Sequence, residues 1–140
     1  MSDKEITWFM TALAKAWSSL DPAAVAALHD QPCLLGTYKG GRVLADHAAA
    51  TAYFDKLIRF YRKRGVARVG IDEMTIATPR PLALPVFSTV QAQWRLWTAE
   101  GLPFLGFHAT HMLRRAPDGW LVHATANHDE LQRFAARKGA

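Results

Sequence analysis

The second half of the chain alternates apolar and polar residues, a period of two that places successive side chains on opposite faces of a β-strand. The alternation begins near Val66 and continues almost to the end of the sequence. Turn-forming segments, TPRPLALP, TAEGLP and APDG, interrupt it. It therefore predicts four strands that form an antiparallel meander. These strands are VARVGIDEMTIA (66–77), VFSTVQAQWRLW (86–97), FLGFHATHMLRR (104–115) and WLVHATANH (120–128).

The first half has the three- and four-residue spacing of amphipathic helices. Asp21-Pro22 places an N-cap residue before proline at the first helical position, and Asp46 is the corresponding cap of a third helix that ends before Gly65. Helices followed by an antiparallel sheet define an α+β fold with the helices on one sheet face. The apolar face of the first helix contains Ile6, Phe9, Met10, Leu13, Trp17 and Leu20.

The length of 140 residues predicts a single domain, 1–140, with no internal repeat or linker. The opening MSDKEITWFM contains two acidic residues and no long apolar run, so we expect no signal peptide, no transmembrane span and no membrane partner. The single cysteine, Cys33, cannot form an internal disulfide and is interpreted as a small buried hydrophobe. The absence of an internal disulfide is consistent with a cytoplasmic location, which we expect for this protein.

The formal net charge is +5, from 17 basic and 12 acidic residues. Much of the excess lies between Lys56 and Arg68 and near the C-terminal end. We interpret these residues as solvated helix faces, because no nucleic-acid-binding motif accompanies the charge. No nucleic-acid partner is expected.

The two turns propose strand registers independently, and both registers predict the same apolar face. A slip by one residue would mix the two faces, so the agreement supports the registers. The Glu100-Gly101 turn pairs Trp97 with Phe104, Trp94 with Phe107 and Val90 with His111, and the APDG loop pairs Arg115 with Trp120, Leu113 with Val122 and His111 with Ala124. The predicted apolar face includes Val90, Ala92, Trp94, Leu96, Leu105, Phe107, Ala109, His111, Leu113, Trp120, Val122, Ala124 and Ala126.

Four of the six histidines lie within HATHMLRRAPDGWLVHATANH, residues 108–128. Such crowding is typical of a metal site, but the predicted register places His111 and His128 on one face and His108 and His123 on the other. Each pair is offset by four residues along the strands, roughly 13 Å, too far for shared zinc ligation. We therefore expect no metal, and only His111 lies in the middle of the apolar face.

Three segments carry a family resemblance: SLDPAAVAALHDQP around the second helix, LADHAAATAYFDKLI in the third, and the hairpin FHATHMLRRAPDGWLVHA. Together they resemble the nuclear transport factor 2-like (NTF2-like) superfamily, and within it the SnoaL-like polyketide cyclases and ketosteroid isomerases. The resemblance implies a cone-shaped (cystatin-like) domain in which three N-terminal helices pack on a curved antiparallel sheet. It also implies a hydrophobic pocket between the helices and the concave face of the sheet.

The best-known activities of these relatives need residues that this sequence lacks. Ketosteroid isomerases have an aspartate base after the second helix, where this chain reads CLLGTY, and a tyrosine in the first helix, which is absent here. The Asp-Arg-Asp set of limonene-epoxide-hydrolase-like enzymes and the carboxylate of SnoaL-like cyclases are absent from the predicted inner face of the last three strands. Those activities are disfavoured.

The remaining candidate chemistry centres on His111, which would act as a general base or orient a ligand if burial keeps it neutral. Asp72 is its candidate catalytic partner if that strand directs Asp72 inward. No cofactor is expected. The candidate ligand-pocket residues are Trp94, Phe107, Trp120, Val90, Tyr53 and Tyr38.

Two functions fit these residues. One is small-molecule binding, with a cofactor-independent isomerase, cyclase or hydrolase as its catalytic form, acting on a small apolar or aromatic ligand. The other is a non-catalytic ligand-binding or dimerisation module of the same fold. A cavity of about 300 Å³ or more, lined by His111 and occupied by a ligand, would favour the first function. A packed interior with His111 hydrogen-bonded to backbone would favour the second. The outer sheet face, with Met112, Leu121 and Trp97, is the predicted homodimer surface.

Overall fold

A computed structural model describes residues 3–79 and 85–138. The fold is α+β, with helices packed on one face of a curved sheet, as the sequence predicts. The helices are α1 (Asp3–Ser18), α2 (Pro22–Ala27), α3 (His47–Lys63) and α4 (Glu130–Lys138). The strands are β1 (His29–Thr37), β2 (Gly40–Leu44), β3 (Val66–Ala77), β4 (Phe87–Thr98), β5 (Pro103–Ala116) and β6 (Gly119–Asn127).

The predicted helix boundaries are confirmed by their caps. The Asp21 carboxylate accepts from the Ala23 N–H at the start of α2, and the Asp46 carboxylate accepts from the Ala49 N–H at the start of α3. Gly65 follows α3 with a φ of 81°, a left-handed conformation that glycine adopts without steric cost.

Six strands form one sheet in the order β2-β1-β6-β5-β4-β3. Strands β3 to β6 make the expected antiparallel meander. The pairing of β1 with β6 is parallel, which the sequence did not predict, and it places the β1–β2 hairpin beside the end of the meander. Because β1 lies next to β6, residues that follow α2 directly reach the concave face of the sheet.

The registers at the centre of the meander are those predicted from the turns. Trp94 pairs with Phe107 and Val90 with His111. Near the β4–β5 turn the prediction is wrong, because Phe104 is an extra residue of β5 and Trp97 therefore pairs with Pro103. On the other side of β5, Arg115 pairs with Trp120 and Leu113 with Val122 as expected.

The far end of β6 differs from the prediction in a way that changes the site. His123 is an extra residue of β6, a β-bulge between the pairs Leu113–Val122 and Met112–Ala124. One extra residue reverses which side chains face the core beyond it. His111 therefore pairs with Thr125 and not with Ala124. Thr125 and Asn127 therefore face inward, in place of Ala124 and Ala126, which were predicted to do so.

Candidate functional site

A cavity of about 140 Å³ lies between the helices and the concave sheet face. It occupies the junction of two groups of buried side chains, one between α1 and the meander and one between α2, α3 and β1. The volume is below the roughly 300 Å³ expected for a drug-sized ligand. Its aliphatic and aromatic lining includes Leu13, Trp17, Phe54, Leu57, Trp94 and Phe107, and its polar lining includes His29, Tyr53, Tyr61, His111, Thr125, Asn127 and Glu130.

His111, the main candidate from the sequence, lines this cavity and is 5% exposed. Its Nε2 accepts a hydrogen bond from Trp94 Nε1 at 3.0 Å, and its Nδ1 lies 2.9 Å from Thr125 Oγ1. Burial, with a smaller contribution from His29, lowers the pKa of His111 from 6.5 to about 3. The ring is therefore neutral at pH 7, and both of its nitrogens have side-chain partners instead of the backbone partner considered above.

His29 is a second histidine of the cavity, and it lies outside the strands from which His111 was predicted. It is the first residue of β1, immediately after α2, and its Nδ1–H donates to the Val25 carbonyl at 2.8 Å. Burial lowers the pKa of His29 from 6.5 to about 4. The neutral ring carries its single proton on Nδ1, so Nε2 has a lone pair, for which the described residues provide no donor.

Glu130 is a buried carboxyl group at the edge of the cavity, 4% exposed. The Tyr61 hydroxyl donates to its Oε2, and Asn127 Nδ2 donates to its Oε1 at 2.9 Å. Burial raises the pKa of Glu130 from 4.5 to about 7, and the two hydrogen bonds limit the rise. Burial and the neighbouring carboxyl group raise the pKa of Tyr61 well above 10, so the phenol remains a donor.

The first turn of α4 and its aromatic anchor hold Glu130 in place. The Asn127 side-chain oxygen accepts from the Glu130 N–H at 3.1 Å. Further along α4, Phe134 is buried against Phe60 and Tyr61, with ring centroids 4.9 and 6.2 Å away. Helix α4 is thus part of the core and supplies the acid of the cavity.

Of the predicted pocket residues, Trp94, Phe107 and Tyr53 line the cavity. The Trp94 and Phe107 rings are parallel, 6.4 Å apart, and His111 meets the Trp94 ring edge-on at 5.7 Å. Two others, Val90 and Trp120, are buried core residues outside the cavity lining. Tyr38, beyond the end of β1, is 61% exposed and does not reach the cavity.

Asp72, the expected partner of His111, lies outside the cavity. It is the extra residue of a second β-bulge, between the pairs Ile71–Trp94 and Glu73–Gln93. Its carboxylate pairs with the Arg95 guanidinium, and the two side chains are 30% and 31% exposed. The bulge explains this position, because an extra residue breaks the alternation on which the inward orientation of Asp72 depended.

The remaining histidines of the 108–128 segment do not meet at one point. His108 Nδ1 lies 3.0 Å from the Asp129 carboxylate, and His123 Nδ1 lies 2.9 Å from the Asp30 carboxylate. His128 was expected on the face of His111, but it contacts Thr110 on the outer face. Within residues 3–79 and 85–138, no group of three His, Cys, Asp or Glu side chains has the arrangement of a metal site.

Signals for two of the missed residues are present in the sequence. His29 is the polar residue at which an alanine-rich helix gives way to a strand, a position that faces the sheet if β1 joins the meander. Glu130 and Phe134 share one face of a helix at a spacing of four, a pattern that indicates packing of that face. Thr125 and Asn127 had no such signal, because ATAN fits either orientation until the bulge is known.

The arrangement of three N-terminal helices on the concave face of a curved sheet, with a cavity between them, defines an NTF2-like protein of cystatin-like fold. An NTF2-like protein with a cystatin-like fold from Novosphingobium aromaticivorans has a TM-score of 0.70 at 18% identity, with 96% of this chain and 86% of that chain covered. The protein Aln2 from a Streptomyces species has a TM-score of 0.68 at 18% identity, with 97% and 93% covered. These similarities show the fold.

A putative calcium/calmodulin-dependent protein kinase II association domain from Xanthomonas campestris has a TM-score of 0.66 at 14% identity, with 91% of this chain and 87% of that chain covered. A family model described as NTF2-like protein (DUF6841) matches residues 4–130, and the chain belongs to this family. No curated protein matches the sequence. No helix in the described parts of the chain is long and apolar enough to cross a membrane.

Proposed function

We propose that this protein binds a small, uncharged and largely apolar molecule in the cavity between its helices and its sheet. The observation that carries the proposal is a lone pair on His29 Nε2 that lacks a donor among the described residues, at the wall of a cavity lined by aromatic and aliphatic side chains as well as polar groups. Buried polar groups in folded proteins are normally paired, and an unpaired acceptor beside an apolar cavity is suited to a ligand donor.

The cavity volume limits the size of the ligand. A cavity of roughly 150 Å³ lined by apolar side chains holds one benzene molecule. The 140 Å³ here accommodates a single six-membered ring with a small substituent. Larger cyclic substrates, such as those of polyketide cyclases, would require the helices to move.

The charge state of the cavity disfavours anionic ligands. The pKa values of His29 and His111 are lowered to about 4 and about 3, so both rings are uncharged at pH 7. Among the described residues that line the cavity there is no Lys or Arg to pair with an anion. An anionic ligand would lose its hydration without compensation, and the partly ionised Glu130 would repel it.

The direct test is binding of cyclohexanol, a one-ring probe whose hydroxyl can donate to His29 Nε2. NMR titration, which monitors the resonances of the cavity residues, measures this binding. Saturable shifts at cavity residues support the proposal. Ala109→Leu fills the cavity and should abolish binding, whereas Ala126→Leu, an exposed alanine on β6, should leave it unchanged. Equal binding to both variants, or no binding to the wild type, would contradict the proposal.

Acid–base catalysis is a second candidate, and Glu130 is the observation that favours it. A carboxyl group with a pKa of about 7 is close to half protonated at neutral pH, the condition under which a general acid or base is most effective. His29 Nε2 supplies a second proton acceptor in the same cavity. A cofactor-independent isomerase, cyclase or hydrolase would use this pair.

Deuterium exchange tests this catalytic candidate without knowledge of the substrate. Cyclohexanone incubated with the protein in heavy water should exchange its α-hydrogens faster than in buffer, and His29→Gln and Glu130→Gln should each remove the acceleration. No acceleration by the wild type would argue for a binding protein without catalysis, and acceleration that both variants retain would rule out His29 and Glu130 as the catalytic pair.

We also propose a homodimer that forms through the outer sheet face. Met112 on β5 and Leu34 on β1 are 40% and 47% exposed there, although both are large apolar residues. The Xanthomonas neighbour is described as an association domain, which supports an association role for a domain of this fold. Sedimentation at micromolar concentration should give twice the 15.6 kDa mass, and Met112→Lys should give the monomer.

A further inference from the structure

Trp94, His111 and Thr125 form a hydrogen-bonded row across three neighbouring strands, β4, β5 and β6. The contacts are 3.0 Å from Trp94 Nε1 to His111 Nε2 and 2.9 Å from His111 Nδ1 to Thr125 Oγ1. An indole N–H can only donate, so His111 Nε2 is necessarily the acceptor. This contact fixes the tautomer of the imidazole.

The tautomer in turn fixes the direction of the second hydrogen bond. A neutral imidazole carries one proton, and because His111 Nε2 is an acceptor, that proton is on Nδ1. His111 Nδ1–H therefore donates to Thr125 Oγ1. The Thr125 hydroxyl still has its own proton, for which the described residues provide no acceptor, and its side chain lines the cavity.

We propose that Trp94 and His111 are positioning residues that hold Thr125 as a hydrogen-bond donor to the ligand, so that the cavity selects small neutral molecules with a carbonyl or ether oxygen. This inference rests on the proposed binding function and names the ligand class. A ligand that offers only donors or only hydrocarbon to Thr125 leaves its proton unpaired in an apolar site, which costs free energy.

The ligand test compares cyclohexanone with methylenecyclohexane, which has the same shape and no acceptor. Thr125→Val should weaken cyclohexanone binding about fivefold, the equivalent of one hydrogen bond, and leave methylenecyclohexane within about twofold. Thr125→Ser keeps the hydroxyl and should retain cyclohexanone affinity. Equal weakening of both probes in Thr125→Val would overturn the inference.

The positioning role is tested with two replacements of His111. In His111→Gln the amide oxygen can accept from Trp94 while the amide nitrogen donates to Thr125, so the preference of the wild type for cyclohexanone over methylenecyclohexane should be preserved. In His111→Leu that preference should be lost. If both variants show the same preference, His111 does not act through Thr125.

A measurement on the wild type alone provides an independent check. The ¹⁵N chemical shifts of the His111 ring should identify Nδ1 as protonated and Nε2 as unprotonated at pH 7, and Trp94→Phe should release the ring to a mixture of tautomers. A wild-type ring protonated on Nε2 would overturn the inference. If neither probe binds the wild type, the proposed binding function is contradicted. The ¹⁵N shifts of His111 still test the row of hydrogen bonds in that case.

Discussion

Thr125 Oγ1 lies 2.9 Å from Nδ1 of His111 on the neighbouring strand, and this contact exists because β6 contains one extra residue, His123. Without the bulge, Ala124 would face His111 and the imidazole would have no side-chain acceptor on β6. The bulge therefore converts an apolar stripe into a polar one at the wall of the cavity. Bulges that reorient side chains in this way are common next to functional sites.

Replacement of Glu130 by glutamine should alter the pH dependence of stability. The unfolded chain releases this proton near pH 4.5, whereas the folded chain holds it until about pH 7. The unfolded state thus binds fewer protons in this window, and the contribution of Glu130 to the free energy of unfolding falls as pH rises. The free energy of unfolding of the wild type should therefore fall relative to that of Glu130→Gln, by roughly 3 kcal/mol from pH 4.5 to 7. Above pH 7 the difference between the two proteins should stay level. Urea denaturation at a series of pH values measures it, and a constant difference would contradict the burial argument.

The two buried histidines should destabilise the fold in acid, in the opposite direction to Glu130. The pKa values of His29 and His111 are lowered from 6.5 to about 4 and about 3, so the unfolded state binds more protons below pH 6.5. Their stabilising contribution is complete above pH 6.5 and is lost as pH falls. In a Glu130→Gln background, the free energy of unfolding should fall by roughly 2 kcal/mol per histidine from pH 6.5 to 5. Adding His111→Gln should halve that fall. An unchanged dependence of the free energy of unfolding on pH would contradict the contribution of His111.

Phe134→Ala should loosen α4 and change the titration of Glu130. The Phe134 ring is buried against Phe60 and Tyr61, and its removal should cost about 3 kcal/mol. Water that reaches Glu130 should move its pKa back from about 7 toward 4.5, which carboxyl ¹³C NMR can follow. Gln132→Ala, on the exposed side of the same helix, should change neither quantity. An unshifted Glu130 in Phe134→Ala would mean that α4 does not control access to the carboxyl group.

The outer sheet face contains an ionic network whose loss should be more costly than that of a surface pair. The Asp30 carboxylate accepts from the Arg114 guanidinium, one contact measuring 2.9 Å, and lies 2.9 Å from His123 Nδ1. The Arg114 hydrogen bonds hold the pKa of Asp30 well below its ordinary value. Asp30→Asn should therefore lower the melting temperature by several degrees. Asp55→Asn, which breaks the exposed pair with Arg59, should change stability by less than about 0.5 kcal/mol.

Much of the fold could be predicted from the sequence because two periodicities and three caps specify it. The alternation from Val66 onward indicates which residues at the centre of the meander face inward, and Asp21, Asp46 and Gly65 mark helix ends. These are local signals, and local signals are readable in a single sequence. The parallel pairing of β1 with β6 is not local, so the meander alone did not predict it.

The candidate site was predicted only in part. His111, Trp94, Phe107 and Tyr53 follow from strand alternation and helix periodicity, and they line the cavity. The other polar groups depend on features that alternation does not reveal. A bulge at His123 brings Thr125 inward, and the packing of a terminal helix buries Glu130.

The parallel contact between β1 and β6 also has a consequence during synthesis of the chain. Asp30 and His123, which this contact brings together, are separated by 93 positions. Strand β1 is synthesised in the first third of the chain, yet β6, its second neighbour in the sheet, does not exist until almost the entire chain has been made. During that interval the exposed edge of β1 is open to pairing with another nascent chain. Slower translation of the last two strands should therefore increase aggregation, and a chaperone that covers β1 should reduce it.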